Sequence, residues 1–394
     1  MKRAAFLFVV LSAVLWTSCG SSSGNTTVSN IKDRALIDNT ESGAVNILNI
    51  DTNPVQPYQT TVAQLTEPKQ MLITSDRSFV LIYDDSAYSL TIFSSSQETT
   101  TGSFSINYHT DSIVMGSDNK YAYAAVPDNP EQSPAPAGAV QSFDLTTGLS
   151  AAQIPVPGAR RVAISNDNNT LLVFADNSDS VYYINLASTT ALTAVAIPGF
   201  NRPYAAYFSS DNSTAYVLNC GTECTGSAPA SVQPLAVSTT KQTPGTPLPV
   251  GGATTGWLNG TTLYVAGNDL SKPAGSQGVL STVDVTGMKV TSTVPIADGL
   301  HLQIASWNNM LWIGSWNCTT TNCLSIVTPG SSTAMISPTT GNVTSFCPVP
   351  AKGWMYVMQG GQLYQFDPNA LTAPTVPYDI LGQGWDIKLL DQPE

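Results

Sequence analysis

Charge is scarce in this chain. Of its 394 residues only 11% are Asp, Glu, Lys or Arg, and histidine occurs twice, at His109 and His301. So few imidazoles leave little room for nucleophile–base pairs, although chemistry between carboxylates stays open. Lys and Arg number 15 against 27 Asp and Glu, a formal charge of −12. Phosphate backbones are gripped mainly by cations, so an acidic surface of this kind excludes nucleic acid as the expected partner. Neither a His-Glu-x-x-His pair nor a Gly-x4-Gly-Lys phosphate loop is present, and no residue set calls for a metal or an organic cofactor. Sustained apolar spacing at i, i+3, i+4 and i+7 is missing as well, which excludes a helical architecture.

What is present is a repeat. Eight short apolar segments centred on Leu36, Leu81, Tyr123, Leu172, Tyr216, Tyr264, Trp312 and Tyr356 follow one another at steps of 45, 42, 49, 44, 48, 48 and 44 residues. A period in the forties built from strands marks an all-β propeller, with one four-stranded blade per repeat. Each repeat parses in the same order. A first strand runs to a turn such as Ser117-Asp118-Asn119-Lys120 or Asn166-Asp167-Asn168-Asn169, whose Asp and Asn side chains bond backbone amides. The apolar strand follows, then a third strand (138–146, 179–186, 279–284 and 362–367). A weaker fourth ends at Ile154-Pro155, Ile197-Pro198 or Val294-Pro295. The first repeat lacks its first strand, and the chain ends in an alternating segment at 385–390. That segment is expected to dock as the inner strand of blade one and close the ring. The expectation is a single monomeric domain over residues 31–394 with eight blades, or seven if repeat one or seven is misparsed.

Residues 1–18 have a basic start at Lys2 and Arg3 and an apolar core over 4–16, the pattern of a secretory signal peptide. The stretch Leu15-Trp16-Thr17-Ser18-Cys19 resembles the lipobox of bacterial lipoproteins, with Trp16 where that motif usually has Leu. The resemblance implies a lipid on Cys19 and a membrane as partner. It also implies residence in the cell envelope, at the outer membrane or cell surface or facing the periplasm. An ordinary secretory leader is the alternative. Residues 20–30, rich in Gly, Ser, Thr and Asn, read with Cys19 as a flexible tether.

Five further cysteines remain. Cys220 and Cys224, and Cys318 and Cys323, each follow a repeated apolar strand, and in an exported protein such pairs read as local disulfides. Zinc is the competing reading, but no histidine lies near either pair. Cys347, inside an expected inner strand, reads as a buried thiol.

The order Arg202-Pro203-Tyr204, Ser209-Ser210-Asp211-Asn212-Ser213, Ala215-Tyr216-Val217 resembles the repeat of the YVTN-type and lactonase-like bacterial propellers. That resemblance implies the propeller fold. It implies no catalytic residue, because the turn lacks its Pro and Gly and no lactonase motif can be placed. The longest loops, 127–138, 220–230, 268–278 and 317–323, all emerge on the rim where the inner strands begin. Aligned inner strands bring Gln70, Ser112, Arg161 and His301 to equivalent places near that rim, with Lys69, Asp111, Arg160 and Tyr204 beside them. These eight residues form the expected polar collar of a channel mouth, competing with the reading that strand ends there are simply wet. Arg would grip a carboxylate or phosphate, and His301 would titrate or bind metal. Trp307, Trp312, Trp316, Trp354 and Trp385 are read as packing between blades, with ligand stacking as the alternative. The functional expectation is an envelope-anchored module that binds a small ligand or another envelope protein. An exported lactonase-like hydrolase working from the same mouth is the alternative.

Overall fold

The structure is a computed structural model that describes residues 28–52, 56–131, 137–238, 241–320, 322–369, 377–378, 380 and 382–392. The leader, Cys19 and the first part of the tether lie outside the described residues.

The repeat forms eight blades in chain order. Blade 4 shows the pattern. Its inner strand Ala159–Ile164 pairs antiparallel with Thr170–Ala175, then come Ser180–Asn185 and the outer Ala194–Pro198. Every residue of Thr170–Ala175 is buried, whereas Ala194–Pro198 buries only Ile197. The second strand is covered by neighbouring blades on both faces, so it reads as an uninterrupted apolar run instead of an alternating one. The outer strand needs one anchor, and that anchor is the apolar residue before proline: Ile154, Ile197 and Val294 are all buried. Proline suits the edge because no further strand waits for its missing N–H. Blade 5 breaks its outer strand into Thr243–Pro244 and Leu248–Pro249. Among the described residues blade 8 has one bridge at its fourth position, Leu363 to Tyr378.

The apolar cores lie between blades. Leu172, Phe174 and Tyr183 of blade 4 pack with Ala206, Phe208 and Val217 of blade 5. Seven similar clusters fill the other seven interfaces, including one that joins blade 8 to blade 1 through Tyr356, Met358, Ile37 and Leu48. Eight interfaces for eight blades is the arithmetic of a closed ring, and the seven-blade parse is excluded. Trp312 is fully buried in the cluster between blades 7 and 8, against Phe366 at 5.5 Å. Cys347 is buried between blades 8 and 1.

The ring closes through the C-terminal strand Ile387–Leu389, which pairs with Ala35, Leu36 and Ile37 as the inner strand of blade 1. One carboxylate fastens it to both neighbours. Asp386 accepts from the Met71 amide of blade 2 (2.8 Å) and from the Ser345 hydroxyl of blade 8 (2.6 Å), and pairs with Lys388 at 3.0 Å. Asp38 accepts from the Trp385 and Asp386 amides, both at 2.7 Å. Burial, with the charge of Asp386 beside it, pushes the Asp38 carboxyl well above its ordinary pKa. Ser29, from the end of the expected tether, donates through its amide and hydroxyl to the buried Glu98, which also pairs with Arg34 at 2.6 Å. The folded body therefore takes hold of the chain at Ser29.

Candidate functional site

The inner strands do not run evenly to the rim. Their registers slip between Ala159 and Arg161, Pro203 and Ala205, His301 and Gln303, Val343 and Ser345, and Pro68 and Met71. A bulge of this kind inserts a residue and re-aims its side chain. The slip occurs in five of the eight inner strands, and in four of them the residues it skips are polar: Lys69 and Gln70, Arg160, Tyr204, and Thr344.

Most of the expected collar pairs off within itself. Lys69 bonds Asp85 at 2.6 Å and Glu67 at 3.0 Å, and its Nζ lies 5.6 Å from the centre of the Trp385 ring. Burial would raise the Asp85 carboxyl, but hydrogen bonds from Lys69 and Tyr83 outweigh it and hold the group below its ordinary pKa. Arg160 meets Asp111 at 2.5 Å and stands 3.9 Å from Asp176. Ser112 is spent on a neighbour, its Oγ accepting from the Val162 amide of blade 4 at 3.1 Å. Gln70 is half-buried beside Lys69 in the slipped register of blade 2.

His301 stands apart from these residues. It pairs with Ser315 one step outward of the slip, so blade 7 offers Gln303, not His301, at the place of Arg161. The cause is the turn. Blade 4 crosses between its first strands with four residues, 166–169, while blade 7 uses two, Asn308 and Asn309, both at positive φ. His301 is fully buried, its Nε2 donates to the Ala297 carbonyl at 2.9 Å, and its Nδ1 has no partner among the described residues. Burial lowers its pKa to about 4, so the ring is neutral.

The remaining members converge on one cleft. Arg160, Arg161, Asp176, Arg202, Tyr204 and the Cys220–Cys224 disulfide line a hollow of about 100 Å³ between blades 4 and 5. The Arg161 guanidinium lies over the Tyr204 ring, 3.6 Å from its centre, and its Nη2 donates to the Tyr204 hydroxyl at 2.5 Å. Burial raises the Tyr204 pKa. One wall is the short 3-10 turn Gly221–Cys224. Its Glu223 is raised by burial and accepts from the Asn268 amide and side chain of blade 6, each at 3.0 Å. Arg202 and Glu223 were not apparent as site residues in the sequence. The visible signal for Arg202 was its place directly before Pro203 and Tyr204.

The other long loops are tied down in the same manner. Asp128 accepts from the Gly158 amide of the next blade at 2.9 Å, and the Asn317 amide donates to Asn342 at 2.8 Å. Asp298 accepts from the Thr319 amide at 3.0 Å, steadying the loop of the Cys318–Cys323 disulfide. Among the described residues no group of three or more His, Cys, Asp or Glu is arranged to hold a metal. Trp316 and Trp385 meet edge to face at 5.0 Å where blades 7, 8 and 1 come together. A second hollow of about 280 Å³ is lined by Asn107, Tyr108, Asn129 and Gln153 among others, with no charged residue among the described ones.

No protein-family model matches the chain, and no match was found among curated proteins. Solved structures resemble it in fold. The dihydro-heme d1 dehydrogenase NirN superposes with a TM-score of 0.69 at 11% identity, over 93% of this chain and 77% of that one. The C-terminal WD40 domain of Sif2 gives 0.62 at 7% identity, over 84% and 91%. The periplasmic gluconolactonase PpgL of Pseudomonas aeruginosa gives 0.51 at 14% identity, over 91% and 98%.

Proposed function

We propose that this chain is an exported β-propeller, tethered to the cell envelope through a lipid on Cys19, that works as a binding module from the rim bearing its long loops. One observation carries the reading. That rim gathers Asp111, Arg160, Arg161, Arg202, Tyr204 and Glu223 around a single cleft. A concave place in a stiff scaffold, with an apolar wall (here Phe174, Pro203 and the disulfide) and a few polar groups aimed into it, has the make-up of a ligand site. The two disulfides suit an oxidising compartment outside the cytoplasm. The partner is a small ligand or another envelope protein, met by a monomer.

A second reading, a lactonase-like hydrolase, is favoured by Glu223 in particular. Burial raises this carboxyl above its ordinary pKa near Tyr204, against hydrogen bonds from Asn268 that pull it back, and a raised pKa is the direction a general acid needs. Similarity in fold to a gluconolactonase is consistent with it. Lactone turnover that disappears in Glu223→Gln would replace the binding reading with this one.

Anchoring is tested by fractionation. Wild type is expected with the membranes and Cys19→Ser in the soluble exported fraction, and identical membrane fractionation of the two would remove the lipid from the account.

A further inference from the structure

We propose that the cleft between blades 4 and 5 binds a small organic monocarboxylate, held by the guanidinium groups of Arg202 and Arg161. The proposal rests on the binding reading above and names its ligand class. The other cations of the mouth are already neutralised: Arg160 by Asp111, and Lys69 by Asp85 and Glu67. Arg161 makes no ion pair among the described residues, only its contact with Tyr204. Among the described residues Arg202 has one long ion pair, to Asp179 at 3.4 Å, and its Nε finds no hydrogen-bond partner. Its guanidinium thus has donors left over, and a carboxylate in the cleft would engage them from the side chain's exposed part.

The backbone of Arg202 points the same way. Its N–H donates to Asp179 and its carbonyl accepts from Cys220. Gly158 makes the matching bonds one blade earlier, to Asp128 and from Asp176. Both residues are left-handed, Gly158 at φ 70° and Arg202 at φ 54°. Glycine takes that conformation freely, and a side chain with a Cβ does not. Blade 5 thus places an arginine, in a conformation that glycine takes more readily, where the neighbouring blade places glycine. Strain of that sort gathers at ligand sites.

Shape and charge select the ligand. A guanidinium edge offers two parallel N–H groups that match a planar carboxylate. The cleft admits only a few heavy atoms, and Phe174, Pro203 and the Cys220–Cys224 disulfide give it an apolar wall for a short aliphatic part. Asp111, Asp176 and Asp179 stand close by, so a second negative charge on the ligand would be repelled.

The test is calorimetric titration of the mature protein with propionate at constant ionic strength, with propionamide and inorganic phosphate as controls. Propionate should bind saturably, propionamide not at all, and phosphate at least about tenfold more weakly. Arg202→Gly should weaken propionate at least about tenfold while the melting temperature holds or rises, because the strain is gone. Arg161→Gln should weaken it comparably in a protein that melts normally. Absence of saturable propionate binding, unchanged binding in Arg202→Gly, or a fall in that variant's melting temperature would overturn the assignment. Capture of a small molecule from an envelope extract, if equal in wild type and Arg202→Gly, would remove the cleft and leave the binding module standing.

Discussion

His301 illustrates how a side chain's neighbours decide its chemistry. Full burial favours the neutral ring and outweighs the Ala297 carbonyl and the Asp298 charge, which pull the other way, lowering its pKa from 6.5 to about 4. The unfolded chain takes up the proton near pH 6.5, and the folded chain only near pH 4. Folding stability from this residue is therefore complete above pH 6.5 and declines as the pH falls through that window. The decline reaches about 3 kcal/mol at the lower end, with about 2 kcal/mol of it gone by pH 5. Chemical denaturation at pH 6.5 and 5 should show wild type losing that much more than His301→Gln. Equal losses would mean the histidine is not held neutral. The residue was placed at the mouth by aligning repeats of equal length. The two-residue turn of blade 7 shifted it into the blade, and turn length is a property of backbone conformation that one-letter spacing shows poorly. Arg202 was overlooked for a related reason, since a left-handed backbone leaves no mark on the sequence of a residue that is not glycine.

The strands were far more legible than their joints. A second strand covered on both faces must be apolar throughout, and that requirement produced the eight evenly spaced segments. The Ser-Asp turns were read as local caps, which they are: Asp167 accepts from the Asn169 amide at 3.2 Å and the Ser165 hydroxyl at 2.6 Å. Their second use was hidden. Asn119, Asn168 and Asn212, all near φ 60°, reach back to the preceding blade and accept from the amides of Ser75, Ser117 and Asn166, each at 2.9 Å. The same residue type answers both needs, because Asn tolerates the left-handed conformation and carries an acceptor. Asn168→Ala should therefore cost about 2 kcal/mol, the sum of strain and a lost bond, and Asn168→Gly only about 1 kcal/mol. Melting temperatures of the two variants check this, and equal losses would show that the left-handed turn carries none of the effect.

Taken whole, the molecule is a ring whose two ends meet in one blade. The closing strand was visible as a leftover alternating segment, but its fastening was not. Asp386 occupies in blade 1 the place that Arg161 holds in blade 4, and it joins blades 8, 1 and 2. Mouth residues on that side hold the ring together, whereas those of blades 4 and 5 face a cleft with cationic donors left over. The division bears on the proposed binding role: a stiff ring would keep the cleft preformed and spare a ligand the cost of ordering it. Polar residue types at the inner-strand ends could be read from the sequence, but which of them pair with each other depends on distances of a few ångströms.

The decisive experiment is native mass spectrometry of the protein released gently from its own envelope, with no small molecule added. A binding module of the kind described should carry a single extra mass at one per chain, matching a small organic acid, and the same preparation of Arg202→Gly should lack it. Bare chain in both preparations, or an identical adduct in both, would contradict the account.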